Sequence, residues 1–496
     1  MTGGAFAGAK LTQRTFHAVI WALVRIGGTN VLGFIVFAML ARVLSPHDFG
    51  LFALAMLVVE LARIISSAGL SDAITRDADN DEILADTAFW ANLALGVIVG
   101  ALAWLAAPLY AALIREPSIT PLLHWLAALI PLSSLGSIHT ARKLKDFGHK
   151  AIAARMVTCV AIGGASAVLA ALAGFGVWSL VIQTVVVDIV GIAFAWFSYR
   201  WWPGFCFDLQ RLRAIWGFSA TMMLTQILGL MLTRVQDLVI GRFMSVAAVG
   251  SYRIGWRMID LIMQTTLQPI VSVSFVTFSH LQQDREKFQR AYLRMLELGA
   301  LLTFPAFTGF AILCPEIIRA LFGAQWAASA DIARILTLMV IPICMNYFLF
   351  PALAAIGRSG TIAKSSLLQT TATLVLSLIA APFGVDWIAA AYVLRTYLTM
   401  PYHLRLFTRD TGITAGAMVR AIRPPILGSL VMAALLLLLR PVMLQTLGSG
   451  IAYVLFAVLA GCLIFAGALL VLAGPYVRAH LGTLLMLLRG KVSAPS

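Results

Sequence analysis

Residues 87–108 read TAFWANLALGVIVGALAWLAAP, an apolar run of 22 residues without a charged side chain. As an α-helix, which rises about 1.5 Å per residue, this run is long enough to cross a hydrocarbon core of about 30 Å. Further apolar stretches of comparable character lie at residues 15–41, 50–71, 121–140, 152–173, 177–198, 214–241, 247–272, 290–313, 331–353, 363–382, 386–404, 424–440 and 450–473. The sequence therefore predicts an all-α polytopic membrane protein with about 14 transmembrane helices.

The 36 Lys and Arg residues are distributed unevenly between the two ends of these stretches. If the N-terminus is cytoplasmic and the stretches alternate in direction, 24 of them lie in cytoplasmic tails and loops, five in the opposite loops and seven inside helices. Cytoplasmic loops carry the positive excess because cationic side chains resist translocation and meet anionic lipid on that side. We therefore predict a multi-pass protein of the bacterial inner (plasma) membrane, with the N- and C-termini cytoplasmic.

Composition excludes several classes of function. The formal net charge of +15 belongs to a chain that is 61% hydrophobic and only 11% charged, and its positive residues are scattered over short loops. This is a pattern of membrane orientation, so we expect no nucleic-acid partner. The five cysteines are isolated and no GxxxxGK[ST] motif occurs, so neither a metal site nor ATP hydrolysis is expected. We expect a protein that is not an enzyme and has no cofactor.

Two segments of the chain repeat each other. ARVLSPHDFGLF at 41–52 and GRFMSVAAVGSY at 241–252 share an Arg, a Ser three residues later and a Gly eight residues later, with an offset of 200. Both copies begin on the same predicted side, which favours parallel repeats with a substrate cleft between them, although chance similarity among apolar helices is the alternative. The predicted organisation is a pair of pseudo-symmetric six-helix lobes followed by a terminal helix pair and cytoplasmic tail, at residues 1–205, 206–410 and 411–496.

Ionisable residues inside membrane helices need a partner or a polar cavity, because each costs about 2.5–3.5 kcal/mol to insert at the helix centre. Seven arginines face four acids in these stretches: Arg25, Arg63, Arg234, Arg253, Arg257, Arg334 and Arg395, against Glu60, Asp188, Asp237 and Asp260. Guanidinium groups bind phosphate oxygens in pairs. The excess of arginine therefore predicts a cationic central cavity that receives a phosphorylated substrate.

The seventh and eighth predicted helices carry five of these charges. Arg253, Arg257 and Asp260 fall at i, i+4 and i+7, on one helical face, so they form either a phosphate clamp in which Asp260 orients Arg257 or a structural salt bridge near the interface. Arg234 and Asp237, at i and i+3, are expected to pair locally.

The remaining charges lie on other predicted helices. Arg25 is near the middle of the first, where Glu60 from the second could neutralise it while Arg63 keeps the surroundings cationic. Arg395 is central in the twelfth and is a candidate cavity residue. Asp188, in the sixth, is a candidate for ion or proton coupling, the alternative being a pairing that holds helices together.

Several tracts resemble the polysaccharide flippase family of the multidrug/oligosaccharidyl-lipid/polysaccharide exporter superfamily. They are LSPHDFGLFALA (44–55), DTAFWANLALG (86–96), GFGVWSLV (174–181), DLVIGRF (237–243), HLQQDREKFQRAYLRML (280–296) and PEIIRALFGAQW (315–326). The resemblance implies a fourteen-helix protein that flips undecaprenyl-pyrophosphate-linked oligosaccharide repeat units for exopolysaccharide or lipopolysaccharide biosynthesis, alongside polymerase or export machinery. In the related lipid II flippases, arginines of the first and eighth helices line the cavity; Arg25 and Arg253 or Arg257 would correspond.

Three other functions remain open at this stage. A lipid II flippase would share the architecture, and a cation-coupled drug exporter of the same superfamily would call for carboxylates in the cleft. A membrane glycan polymerase would call for a long extracytoplasmic loop, whereas the outer loops predicted here are short. Transport of a cationic dye, or lengthening of glycan chains in vitro, would favour the second or the third.

Overall fold

The computed structural model describes residues 28–76, 81–145, 149–448 and 450–472, and all its regular elements are helical. Beside two short 3-10 turns, the helices are α1 (Gly28–Val43), α2 (Pro46–Ser67), α3 (Leu70–Arg76), α4 (Glu82–Ile114), α5 (Ile119–Lys145), α6 (His149–Leu172), α7 (Trp178–Ser198), α8 (Leu209–Phe243), α9 (Val246–Thr266), α10 (Gln268–Leu281), α11 (Arg285–Phe322), α12 (Ala327–Thr337), α13 (Val340–Ala355), α14 (Ser359–Ala380), α15 (Val385–Thr411), α16 (Ala415–Leu447) and α17 (Ile451–Leu472). The predicted all-α class is confirmed.

The number of candidate membrane crossings depends on how two bent helix pairs are counted. In the described part of the chain, 10 helices are long and apolar enough to span a membrane, or up to 12 if each of two bent helix pairs counts as one span. The described part of the first predicted stretch, α1, is shorter than a typical span, and α15 is not among the helices that are apolar enough to count as one. The exact count of 14 stays a prediction.

Two stretches predicted as single helices are bent in the structure. The axis turns by 48° between α9 and α10, where Pro269 follows the break, and by 64° between α12 and α13, where Pro342 does. Proline lacks an N–H and its ring clashes with the preceding turn, so a helix bends or restarts there. Hydrophobicity alone did not reveal these breaks.

Many helices also extend beyond the predicted apolar stretches. α8, α11 and α16 begin at residues capped by Asp208, Asp284 and Thr414, whose side-chain oxygens accept hydrogen bonds from backbone N–H groups of the first turn. Such caps satisfy donors that the helix itself leaves free. The apolar pattern finds the membrane-embedded part of a helix, whereas the caps set its ends.

The two repeated segments form equivalent helix starts. Ser45 caps α2 by accepting a hydrogen bond from the Asp48 N–H at 3.2 Å, and Ser245, offset by 200, accepts one from the Ala248 N–H at 3.1 Å at the start of α9. The serines shared by the repeat therefore accept the same kind of hydrogen bond at the start of a helix in both copies.

The repeat glycines bring these two helix starts into contact. A Cβ atom on Gly50 would overlap the carbonyl oxygen of Val246, and a Cβ atom on Gly250 would overlap the carbonyl oxygen of Pro46. Pro46 and Val246 are themselves equivalent under the offset of 200, so each copy contacts the other in the same way. Such reciprocity is the signature of a local two-fold arrangement.

Helix contacts divide the chain into two compact units. Unit 1 comprises the residues up to Arg253 with Thr370–Val385, and unit 2 comprises Ile254–Gln369 with the residues from Asp386 onward. Unit 1 has an apolar core between α4 and α5 that includes Phe89 and Ile138. The predicted division at 1–205, 206–410 and 411–496 stays a prediction.

Unit 2 builds its apolar contacts mainly from α11, α16 and α17. Leu313 packs with Met443 and Tyr453, and further along the same helices Met432 packs with Phe465. These clusters continue into an apolar groove of about 690 Å³ between the three helices.

Candidate functional site

In unit 1, a salt bridge links α2 to α8. Arg234 donates from Nη2 to Oε1 of Glu60 at 2.7 Å and from Nε to Oε2 at 3.1 Å. This two-point contact matches the planar fork of a guanidinium to the two oxygens of a carboxylate. Both side chains remain partly exposed, so the pair is accessible from outside the helix bundle.

The fully buried Asp237 extends this salt bridge to α9. Arg253 donates to Asp237 Oδ2 from Nε at 2.7 Å and also from Nη2, while Nη1 of Arg234 lies 3.8 Å from the same oxygen. Glu60, Arg234, Asp237 and Arg253 thus form a series of alternating charges. The predicted local pair of Arg234 and Asp237 is present, but the stronger partner of each is another residue.

A second salt bridge in unit 1 links α2 to α7. Arg63 donates to Asp188 from Nη2 to Oδ2 at 2.5 Å and from Nη1 to Oδ1 at 3.4 Å. The side chain of Arg63 is 28% exposed and that of Asp188 is 11% exposed. Asp188 therefore pairs with an arginine of a neighbouring helix, which is one of its two expected roles. Its other expected role, in ion or proton coupling, stays a prediction.

In unit 2, Arg257 and Asp260 face each other on α9, with Arg257 Nη1 donating to Asp260 Oδ2 at 3.2 Å. Gln264 Nε2 donates to the same oxygen at 2.7 Å. This contact is common to the phosphate clamp and to the structural salt bridge expected from the sequence, and the clamp stays a prediction. Both side chains of the pair are partly exposed.

Salt bridges neutralise four of the seven arginines that were expected to make the cavity cationic. Among the described residues, four membrane arginines meet four carboxylates: Arg63, Arg234, Arg253 and Arg257 with Asp188, Glu60, Asp237 and Asp260. Each of these pairs is neutral, and the pairing offsets part of the cost of burying the two charges. Arg25 lies outside the described residues, so its expected neutralisation by Glu60 is not tested, and Glu60 binds Arg234. Arg63 does not keep its surroundings cationic.

Arg395 differs from the other arginines because its partners are neutral. Its Nη1 donates to Oε1 of Gln369 at 2.8 Å, and its guanidinium lies 4.2 Å from the ring centre of Tyr392. Only 2% of Arg395 is exposed, and its Nε has no partner among the residues that the structure describes. A substrate role for Arg395 therefore requires a conformation that uncovers it.

The fold matches solved transport proteins over most of the chain. A structure titled "Lipid II flippase MurJ, inward closed conformation" aligns with a TM-score of 0.77 and 15% identity, covering 93% of this chain and all of that one. An inward-facing multidrug resistance MATE family transporter aligns with a TM-score of 0.63 and 16% identity, covering 79% of this chain and 98% of that one. The molecule thus has the fold of the exporter superfamily that includes these proteins.

Sequence comparison narrows this class to a family. Residues 39–331 match the family described as "Polysaccharide biosynthesis protein", and the chain belongs to that family. The "Succinoglycan biosynthesis transport protein ExoT" of Rhizobium meliloti is 29% identical over 71% of this chain and 72% of its own length. The "Lipopolysaccharide biosynthesis protein WzxC" of Escherichia coli is 23% identical over 66% of this chain and 67% of its own.

These matches confirm the resemblance to polysaccharide flippases. The protein is a multi-pass inner-membrane protein of polysaccharide transport, and its family consists of transporters rather than catalysts.

Proposed function

We propose that this protein flips undecaprenyl-pyrophosphate-linked oligosaccharide repeat units across the bacterial inner membrane by alternating access, for exopolysaccharide or lipopolysaccharide assembly. The observation that carries the proposal is the set of arginines in membrane-spanning helices, each held by a carboxylate and several still partly exposed. A pyrophosphate offers these guanidinium groups more oxygen acceptors and more negative charge than a carboxylate does.

In this mechanism the substrate displaces carboxylates from arginines. Arg63 and Arg257 are the most exposed of these four arginines, with 28% and 27% of their side chains exposed. Exchange keeps each guanidinium paired throughout, so no uncompensated charge is left on it in the membrane. The proposed substrate-binding residues are Arg25, Glu60, Arg63, Arg253, Arg257, Asp260 and Arg395.

Exchange at Arg63 also supplies a route to energy coupling. When the pyrophosphate binds Arg63, Asp188 loses its cationic partner. A carboxylate isolated in the membrane then takes up a proton or a cation. Release of the substrate restores the Arg63–Asp188 pair and expels that ion. Asp188 is the proposed coupling residue, and the differential affinity of the two openings for substrate and ion drives the cycle.

The apolar groove of unit 2 suits the lipid part of this substrate. It is bounded by α11, α16 and α17, and its wall includes Leu301, Pro305, Met432, Leu436 and Phe465. A polyprenyl chain needs only apolar contacts, so the tail stays at a lipid-like surface while the head group crosses. In the proposed orientation, with both termini cytoplasmic, loading occurs from the inner leaflet.

A lipid II flippase is the second candidate, favoured by the TM-score of 0.77 to MurJ. A drug exporter is disfavoured because the membrane carboxylates named above are already engaged by arginines and so do not offer free sites for a cationic drug.

The proposal is tested by complementing a deletion strain with point variants and scoring lipid-linked repeat units trapped in the inner leaflet. We expect Arg25→Ala and Arg257→Ala to stop polymer export while inserting normally, and Lys at either position to restore it in part, since it keeps the charge without the planar fork. Arg319→Ala, at an exposed position, is the control. Normal polymer output from both alanine variants would remove the proposed role of these arginines.

A further inference from the structure

Unit 1 contains a cavity of about 610 Å³ whose wall includes Asp188. Five helices enclose it, α1, α3, α5, α6 and α7, and six hydroxyl side chains line it: Thr29, Ser71, Thr75, Ser133, Ser137 and Thr140. A volume of this size lies within the usual range for small-molecule sites, about 300–1,000 Å³. Single Ser and Thr residues are common where membrane helices pack, and here six of them from three helices line one volume.

The cavity wall also carries charged groups that are fixed in position. Arg155 donates from Nη1 to Oγ1 of Thr140 at 2.5 Å. Asp72 accepts a hydrogen bond from Gln226 at 3.1 Å, and Asp188, the partner of Arg63, completes the set. The wall thus offers guanidinium N–H donors, carboxylate acceptors and hydroxyls that can do either.

One hydroxyl has unused hydrogen-bonding capacity. Ser71 Oγ is buried and has no hydrogen-bond partner within the described part of the chain. Ser133 Oγ donates only to the carbonyl oxygen of Ile130 in its own helix. Buried polar atoms are normally satisfied, so an unpaired hydroxyl on a cavity wall calls for a polar occupant.

The place of the cavity in the helices is consistent with substrate entry. The lining residues of α5 lie in the second half of that helix, toward Lys145, and those of α6 lie in the first half of theirs, toward His149. In the proposed orientation these ends face the cytoplasm, where lipid-linked sugars are loaded. Because Asp188 is both in the wall and bound to Arg63, a pyrophosphate at Arg63 would place its first sugars at this cavity.

We infer that this cavity binds the sugar units next to the pyrophosphate, with the hydroxyl side chains, Arg155 and Asp72 hydrogen-bonding to sugar hydroxyls. The inference rests on the proposed function and adds a location for the carbohydrate. A sugar presents closely spaced hydroxyl donors and acceptors, which match a wall of hydroxyl, carboxylate and guanidinium groups. An apolar ligand would leave the Ser71 hydroxyl without a partner.

The test compares two lipids on purified full-length protein by native mass spectrometry: undecaprenyl pyrophosphate, and the same lipid carrying a neutral hexose disaccharide. We expect the wild type to bind the sugar-bearing lipid more tightly. The double variant S71A/S133A removes two wall hydroxyls without breaking a contact between helices, and R155Q removes the charge. S71A/S133A, which removes two hydrogen bonds, should weaken binding of the sugar-bearing lipid about thirtyfold, and R155Q should weaken it about fivefold or more; both should leave the bare lipid unchanged.

The control is S272A/S279A on α10, which removes two exposed hydroxyls that bind carbonyl groups of their own helix. If both cavity variants keep the wild-type preference for the sugar-bearing lipid, or if the wild type has no such preference, the inference is wrong and the flippase proposal stands. If the wild type binds neither lipid, both fail.

A second readout covers the case of a cavity variant that fails to fold. Ser133→Cys, of similar size, is treated with N-ethylmaleimide and its modification is measured by peptide mass spectrometry. We expect the sugar-bearing lipid to slow modification at this position and the bare lipid to have no effect. Equal modification with both lipids would mean that the cavity holds water only, which overturns the inference.

Discussion

At the scale of single residues, Asp237 has the most restricted environment of the membrane carboxylates. It is fully buried, and Arg253 is its nearest cation. A buried ion pair adds little stability over apolar packing, but removing one partner leaves a charge in a medium that cannot solvate it. Arg253 is therefore expected to have a structural role that coexists with its proposed role in binding substrate.

This role gives a prediction for stability. Arg253→Ala should lower the free energy of unfolding by about 3–5 kcal/mol, because Asp237 is left with only the more distant Arg234. The double variant Arg253→Ala/Asp237→Ala should lose distinctly less. Thermal unfolding in detergent measures both. An equal loss in the single and double variants would show that Arg253 contributes through packing rather than through the pair.

Sequence reasoning identified these charged residues and paired those that lie on one helix, but not the pairs between helices. Arg257 and Asp260 were predicted as partners because three residues on one helix fix their separation. Glu60 and Arg234 are 174 residues apart, and Arg63 and Asp188 are 125 apart, so their meeting depends on how whole helices pack. The sequence did not indicate the group of hydroxyl side chains around Arg155 either, because single Ser and Thr residues are common in membrane helices.

At the scale of helices, the crossing of α2 and α9 is the feature that the sequence repeat predicts best. The repeat marked Gly50 and Gly250, and the structure places each against the backbone of the opposite copy. Small residues let helix backbones approach closely, which is a main source of helix association in membranes. The sequence could not show that the two copies touch each other.

Substituting either glycine tests this crossing. Gly50→Ala and Gly250→Ala should each lower stability by about 1–3 kcal/mol, because the added methyl group forces the backbones apart. The reciprocal geometry predicts similar losses for the two variants. Gly229→Ala, in the middle of α8 with open space around its Cα, is the control and should be neutral or slightly stabilising. Unchanged unfolding temperatures for both crossing variants would contradict this packing.

At the scale of the whole molecule, composition and loop charge predicted the class of protein, and ordered sequence tracts predicted its family. The sequence did not predict the bends at α9–α10 and α12–α13 or the long capped ends of the helices. An apolar pattern shows which residues face lipid, but it does not show where a helix bends. Four of the seven predicted membrane arginines are paired with carboxylates, so the proposed binding at these positions depends on exchange of carboxylate for pyrophosphate.

The most direct test of this exchange is the flipping rate of the double variant Arg63→Met/Asp188→Leu in proteoliposomes. A fluorescent undecaprenyl-pyrophosphate-linked oligosaccharide is followed with a membrane-impermeant quencher, and Arg319→Met is the control. Replacing a buried ion pair by apolar side chains usually preserves stability. We predict a folded protein whose flipping is slower by about tenfold or more, since a charge-assisted hydrogen bond contributes about 1.5–3 kcal/mol. Flipping at the wild-type rate would contradict the account, because the pair would then only hold α2 and α7 together.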